Sequence, residues 1–314
     1  MPNLLVLFYF LISVFQYNGN VEKQGVLLSS QKNKVNTVKT VLYNPKIVAN
    51  LPKKLKETSG LIFWRNGLWT INDSGGKPVI YKIDAKTGKI LQEISIEGAI
   101  NKDWEALTQD ENYIYVGDVG NNRGKRHKFT VYKIKKSRIP KNGNARVIPQ
   151  TINFDFPDKR IVPKKWDATA FDCEALLSWG NHLYVFTKDW KNQHTRFYRL
   201  SKNPGNYKAT FVGSFDVGGL ITAATGEYQE GNIILLGYTK GDWIPFMWAL
   251  SHFKGDDFFS GKKVRVDMPQ RIASQTEGVA FTSGWKGYIS AEETSVTYPV
   301  LFRFDLSSRK SFLN

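Results

Sequence analysis

The chain has 314 residues, a net charge of +16, 14% aromatic residues and one cysteine. That length suits one large domain or two smaller ones, and a core of such size needs no disulfide staples; the lone Cys173 cannot form one within the chain. The lysines fall in scattered pairs such as Lys53-Lys54, Lys135-Lys136 and Lys262-Lys263, with no aromatic-interleaved stripe, so specific nucleic-acid binding is not expected.

In chain order, Leu4 to Phe15 is a continuous apolar run too short to span a bilayer. It matches the core of a secretory signal peptide, so residues 1–20 are read as a removable signal and the mature protein as secreted or periplasmic, without a transmembrane span. Residues 21–37 are polar and read as a flexible leader. Residues 38–314 carry a five-fold repeat and are read as a single domain.

The repeat is anchored on five short frames: Glu57-Thr58-Ser59-Gly60-Leu61, Asp103-Trp104-Glu105-Ala106-Leu107, Asp172-Cys173-Glu174-Ala175-Leu176, Leu220-Ile221-Thr222-Ala223-Ala224 and Gln275-Thr276-Glu277-Gly278-Val279. After each come two more runs of β-branched and aromatic residues, for example Leu68 to Ile71 and Val79 to Ile83 in the first copy. Gly, Asn, Asp or Lys bounds the runs, which is the signature of strands joined by turns. Units of about four strands arrayed radially make an all-β, five-bladed β-propeller. The second blade has a longer outer part, with a fourth strand expected over Thr151 to Phe156 and a basic loop from Pro157 to Thr169. The fifth copy ends after its third strand. The strand-like segment from Thr40 to Ala49 is therefore expected to supply the missing outer strand and close the ring, covering sheet edges.

The first strand of each blade lines the axis, and alternate side chains share a face. Ser59, Glu105, Glu174, Thr222 and Glu277 are thus expected at one level of a channel, with Glu57, Asp103, Asp172, Leu220 and Gln275 one step nearer its mouth. Cys173 points the other way, as a buried thiol between blades. Like charges a few ångströms apart cost several kcal/mol. The three glutamates must be protonated in a polar channel, paired with a base, or bound to a cation. No Lys or Arg holds an equivalent inner-strand position, and the donors are all hard oxygens, so the expected ion is Ca²⁺, with Mg²⁺ less readily accommodated. The loops between second and third strands surround the mouth; there Asn121, Asn122, Arg126, Lys188 and Lys240 are candidate ligand-binding residues.

The order Ser59, Glu105, Glu174, Thr222, Glu277 resembles that of the calcium-activated nucleotidases, the five-bladed apyrases, in which such positions surround a central calcium. That resemblance implies the same fold and a metal at these five residues. The family's first-blade Asp-Asp-Arg loop reads Asn72-Asp73-Ser74-Gly75 here, without the arginine. The Asn-Asp-Ser-Gly, Gly-Asp-Val-Gly-Asn and Glu-Ala-Leu blocks are similar to those of a family of secreted bacterial β-propellers. Two function classes follow. One is a non-catalytic propeller binding a small anionic ligand, a glycan or an envelope protein at its mouth. The other is a Ca²⁺-dependent hydrolase of a phosphorylated or other anionic molecule, with Asp73, Asp103, Asp118 or Asp172 as base; a lactonase-like reaction is a third option.

Overall fold

The computed structural model describes residues 39–157, 169–269, 275–309 and 313. The signal and leader segments, and most of the Pro157 to Thr169 loop, lie outside them. The chain enters through β1 (Lys39–Leu42) and β2 (Lys46–Asn50). Blade one follows with β3 (Thr58–Trp64), β4 (Gly67–Asn72), β5 (Val79–Ile83) and β6 (Ile90–Ile96). Blade two has β7 (Trp104–Gln109), β8 (Tyr113–Asp118) and β9 (Phe129–Lys135). A short β10 (Ala145–Val147) precedes its outer strand β11 (Gln150–Asp155). Blade three has β12 (Asp172–Trp179), β13 (His182–Lys188) and β14 (His194–Ser201), then a short β15 (Gly205–Lys208) before β16 (Thr210–Asp216). Blade four has β17 (Leu220–Glu227), β18 (Asn232–Tyr238), β19 (Pro245–Ser251) and β20 (Lys262–Asp267). Blade five has β21 (Thr276–Ser283), β22 (Lys286–Ala291) and β23 (Val300–Asp305). The protein is a five-bladed β-propeller.

Burial grades from axis to rim as the sequence pattern demands. The continuous apolar runs of β18 and β19 are buried on both faces, because each lies between two neighbouring blades. The outer β6 alternates buried and partly exposed residues, as a half-covered strand must. The apolar side chains between neighbouring blades form the cores. Trp69 and Ile80 of blade one, for instance, meet Trp104 and Ile114 of blade two. Cys173 is fully buried between blades two and three, beside Tyr115, Phe129 and Leu176.

Ring closure departs from expectation in one respect. β2 is the outer strand of blade five, antiparallel to β23 with Lys46 opposite Arg303. β1 instead adds to blade four, parallel to β20 with Lys39 opposite Val264. The N-terminal segment therefore ties two blades rather than completing one. The same device recurs: β10 pairs parallel with β6 of blade one and β15 with β11 of blade two. In each case the chain crosses the rim of the preceding blade before returning as an outer strand. An edge that would otherwise be open is covered. No helix among the described residues is long and apolar enough to cross a membrane.

Two features position the site. The last residue of each second strand stands opposite the start of the inner strand: Asn72 faces Thr58, Asp118 faces Trp104, Lys188 faces Asp172, Tyr238 faces Leu220 and Ala291 faces Thr276. Both sets of residues therefore reach the same end of the axis. Each inner strand is also bulged: at the oxygen-bearing Glu105, Glu174, Thr222 and Glu277 in four blades, and at Gly60, just after Ser59, in the first. A bulge breaks the strict alternation of a strand and re-aims a side chain.

Candidate functional site

The five ring residues do not play one part. The Ser59 hydroxyl donates to the Glu105 carbonyl (2.7 Å) and the Thr222 hydroxyl to the Thr276 carbonyl (2.5 Å). Both tie neighbouring inner strands together. Glu174 forms an ion pair with Lys188 (3.2 Å), and both side chains are about 5% exposed. Glu277 accepts a long hydrogen bond from the Tyr238 hydroxyl (3.5 Å), while its other carboxyl oxygen has no partner among the described residues. Glu105 stands with Asp73 and Asp103; one carboxyl oxygen from each lies within 4.8 Å of the others. Gly120 makes that approach possible. A Cβ there would lie 2.5 Å from the Asp103 carboxyl group and 2.7 Å from Glu105 Oε1. No ion pair engages Asp73, Asp103 or Glu105 among the described residues.

Above this level is a cavity of about 250 Å³. Asp73, Glu105, Glu174, Glu277 and Glu292 reach it, and Trp190, Tyr238 and Trp243 form aromatic walls. Burial, and then the charges of Glu174 and Asp73, hold Glu105 well above the usual carboxylate range. Burial and then Glu277 do the same to Glu292. Asp103 is pushed up to about 7 by burial and by Asp73 and Asp172. Glu277 also rises to about 7, through burial, with Lys188 opposing. Burial works against the Lys188 ammonium, but Glu174, Tyr238 and Glu277 hold its pKa well above that of a free lysine. Its nitrogen also lies 5.0 Å from the Trp190 ring centroid and 5.1 Å from that of Tyr238. The chain thus places one of its own cations in the acidic vestibule.

The channel does not run through. Where Gly60, Ala106, Ala175 and Ala223 converge, the axis leaves no space for a water molecule. A Cβ on Gly60 would lie 2.6 Å from the Leu107 nitrogen, and its φ of +61° is one that L side chains rarely adopt. Beyond it lies a second cavity of about 180 Å³, reached by Thr108, Gln109, Thr225 and Glu227.

Several of the sequence candidates are engaged in contacts that hold the scaffold. Asp118 pairs with Arg126 (2.8 Å), whose guanidinium also donates to the carbonyls of Gly120 and Asp118. Asn121 is buried; its amide donates to the Phe171 carbonyl and its oxygen accepts from the Arg126 backbone N–H. Asp172 accepts from the Asn121 backbone N–H (2.7 Å) and the Trp190 indole (2.8 Å). These four residues fix the loop after β8, because a buried turn must satisfy its polar groups internally. The Lys240 ammonium donates to the Trp190 carbonyl (2.7 Å). Asn122 and Lys188 line the cavity, and Asp73 and Asp103 reach the acidic cluster.

The sequence puts Trp190, Tyr238 and Glu292 in the loops around the mouth but does not single them out as site residues. The signal was available in the ends of the second strands. Asp73 and Glu292 each follow such an end and donate a backbone N–H to the residue before the inner strand, Glu57 and Gln275 respectively. Lys188 and Tyr238 are the equivalent last residues of β13 and β18.

The fold and site define a five-bladed β-propeller with an acidic mouth. No family model and no curated protein matches the sequence. Among solved structures it is similar to the PQQ-bound aldose sugar dehydrogenase of Streptomyces coelicolor, with a TM-score of 0.47 and 10% identity over 82% of this chain and 96% of that one. It is also similar to a DUF4623 family protein from Bacteroides eggerthii, with a TM-score of 0.41 and 10% identity over 79% and 70% of the two chains.

Proposed function

We propose that this chain is a binding propeller whose mouth takes one Ca²⁺ ion, held by Asp73, Asp103 and Glu105, and through it a small anionic ligand. The observation that carries this reading is the convergence of three carboxyl groups, without an ion-pair partner among the described residues, over a glycine whose missing side chain makes room for them. The donors are hard oxygens with no His or Cys among them, which suits calcium, and magnesium less well. The set is narrower than the five-residue ring, because Ser59 and Thr222 bind neighbouring carbonyls and Glu174 already faces Lys188. When bound, the ion supplies positive charge and open coordination positions at the mouth. Lys188 adds a fixed positive charge, and Asn122, Trp190 and Trp243 line the cavity beside it.

Hydrolysis is a second reading, favoured by the gathering of Asp73 and Asp103, two of the candidate bases, beside Glu105 at the mouth. The apolar run of Leu4 to Phe15 places the mature protein outside the cytoplasm in this proposal. Thermal melting with calcium and with chelator tests the metal. Binding to the folded state alone adds about 2.7 kcal/mol at a hundredfold excess over Kd. Calcium therefore raises the Tm of the wild type and has little effect on Glu105→Gln. A wild-type Tm indifferent to both additions overturns the reading. Turnover of nucleotides, phosphoesters or lactones that chelator abolishes would replace binding by hydrolysis.

A further inference from the structure

The opposite face of the propeller carries a groove of about 1020 Å³. Three hairpin turns of the inner strands and the connection from β19 to β20 enclose it, so it is remote from the mouth. We propose that this groove binds a neutral oligosaccharide, with Tyr228 as the stacking platform.

Tyr228 is 59% exposed, yet its ring is not loose. The Trp179 indole meets it edge-on at 5.1 Å and 77°. Gly180 lies against it; a Cβ there would stand 3.4 Å from the ring, and φ is +52°. One side of the phenol is thus braced by an indole and by bare main chain, and the ring remains more than half exposed. A single exposed aromatic needs no explanation, whereas a braced one is a pre-organised surface that loses little freedom on binding. Beside it Arg199 pairs with Asp256 (2.9 Å), and the Tyr184 hydroxyl donates to the same carboxyl oxygen (3.2 Å). Both partners of that pair are about a third exposed, leaving further donors and acceptors facing the groove.

Charge and shape choose the ligand. The charged Lys, Arg, Asp and Glu side chains lining the groove are Arg199, Asp256 and Glu230, one cation against two anions, so the lining itself does not favour an anionic polymer. A peptide docks by pressing apolar anchors into pockets. Here Trp179 is 7% exposed and packs against Phe253 and Phe258, so the apolar side chains close on one another beneath Tyr228. A flat ring rimmed by planar hydrogen-bonding groups matches the apolar face and hydroxyl rim of a sugar.

The test is titration calorimetry of the full chain with cellohexaose, chitohexaose, maltohexaose and mannohexaose, alongside a polyuronate and a proline-rich peptide. At least one neutral hexasaccharide binds, and its affinity is unchanged between low and high salt. Tyr228→Ala weakens it about tenfold, as loss of one aromatic contact does. Tyr228→Phe keeps the affinity, and Asp256→Ala weakens it independently of the platform. Glu105→Gln at the mouth leaves it unchanged, which separates this site from the metal. Binding of none of the four sugars, binding indifferent to both Tyr228→Ala and Asp256→Ala, or binding of the polyuronate or the peptide alone overturns the proposal.

Discussion

The two ends of the propeller axis are made from the same five inner strands, yet they differ in what they bury. The mouth gathers Asp73, Asp103, Glu105, Glu174, Glu277 and Glu292 around Lys188. The far vestibule has Glu227 with Thr108, Thr225 and Gln109. The reason is geometric. At the mouth each blade delivers the start of its inner strand and the end of its second strand, so two residues per blade converge. At the far end tight hairpins carry the chain away. The difference teaches where the fold accepts a cost. Buried carboxyl groups with raised pKa values are unfavourable when ionised, and well-packed apolar side chains would serve stability better. Their concentration at one end supports the proposal that a cation binds there.

Substitutions that touch one end and not the other sharpen this contrast. The largest effect is expected from Lys188→Met, which leaves Glu174 buried without its partner and costs about 3–5 kcal/mol by denaturant unfolding. Pairing it with Glu174→Gln recovers most of that loss. Glu227→Gln at the far end breaks no ion pair among the described residues and removes a carboxyl group that burial holds above its usual range, so it is neutral or stabilising. Next comes the constriction between the ends. Gly60→Ala forces a Cβ against the Leu107 backbone at positive φ and costs about 1–3 kcal/mol by the same measurement.

The pH dependence is smaller and has a definite sign. Asp103 and Glu277 rise to about 7 at the mouth, and Glu227 rises to about 7 at the far end, each chiefly through burial. A carboxyl group whose pKa is raised by folding binds more protons folded than unfolded. Below the unfolded values of 3.8 and 4.5 these groups cost nothing, and the penalty grows until pH passes the folded value of about 7. Metal-free protein therefore loses stability from about pH 4 to pH 7, and the share of these three groups levels off above. Glu227→Gln makes the slope shallower, Asp103→Asn with Glu277→Gln more so because two such groups are removed, and calcium flattens the mouth's share. A urea midpoint that rises with pH across this window contradicts the account.

The blades were legible because each is a local unit: runs such as Leu68 to Ile71 and Val79 to Ile83 repeat with the same turns, and the period-2 pattern survives in single strands. The mouth was legible for the same reason, since the loops after β4 and β8 must sit beside the starts of β3 and β7. The partition of the N-terminal segment between blades four and five was not, because β1 pairs with β20 across more than two hundred residues. Nor was the division of labour in the ring. Strict alternation assigned Ser59 and Glu105 the same role, but a bulge at each inner strand re-aims the side chains, and a bulge leaves no sign in residue type. Lys188 lay on a second strand, so a search of inner strands for a counter-ion passed over it.

The most direct test of the central claim is the number of calcium ions bound per chain, by titration calorimetry on chelator-treated protein, with Asp73→Asn and Asp103→Asn beside the wild type. The account predicts one ion per wild-type chain and affinity weakened at least about tenfold in each variant. Wild type that binds no calcium, or variants that bind it as tightly as wild type, would contradict a cation at Asp73, Asp103 and Glu105.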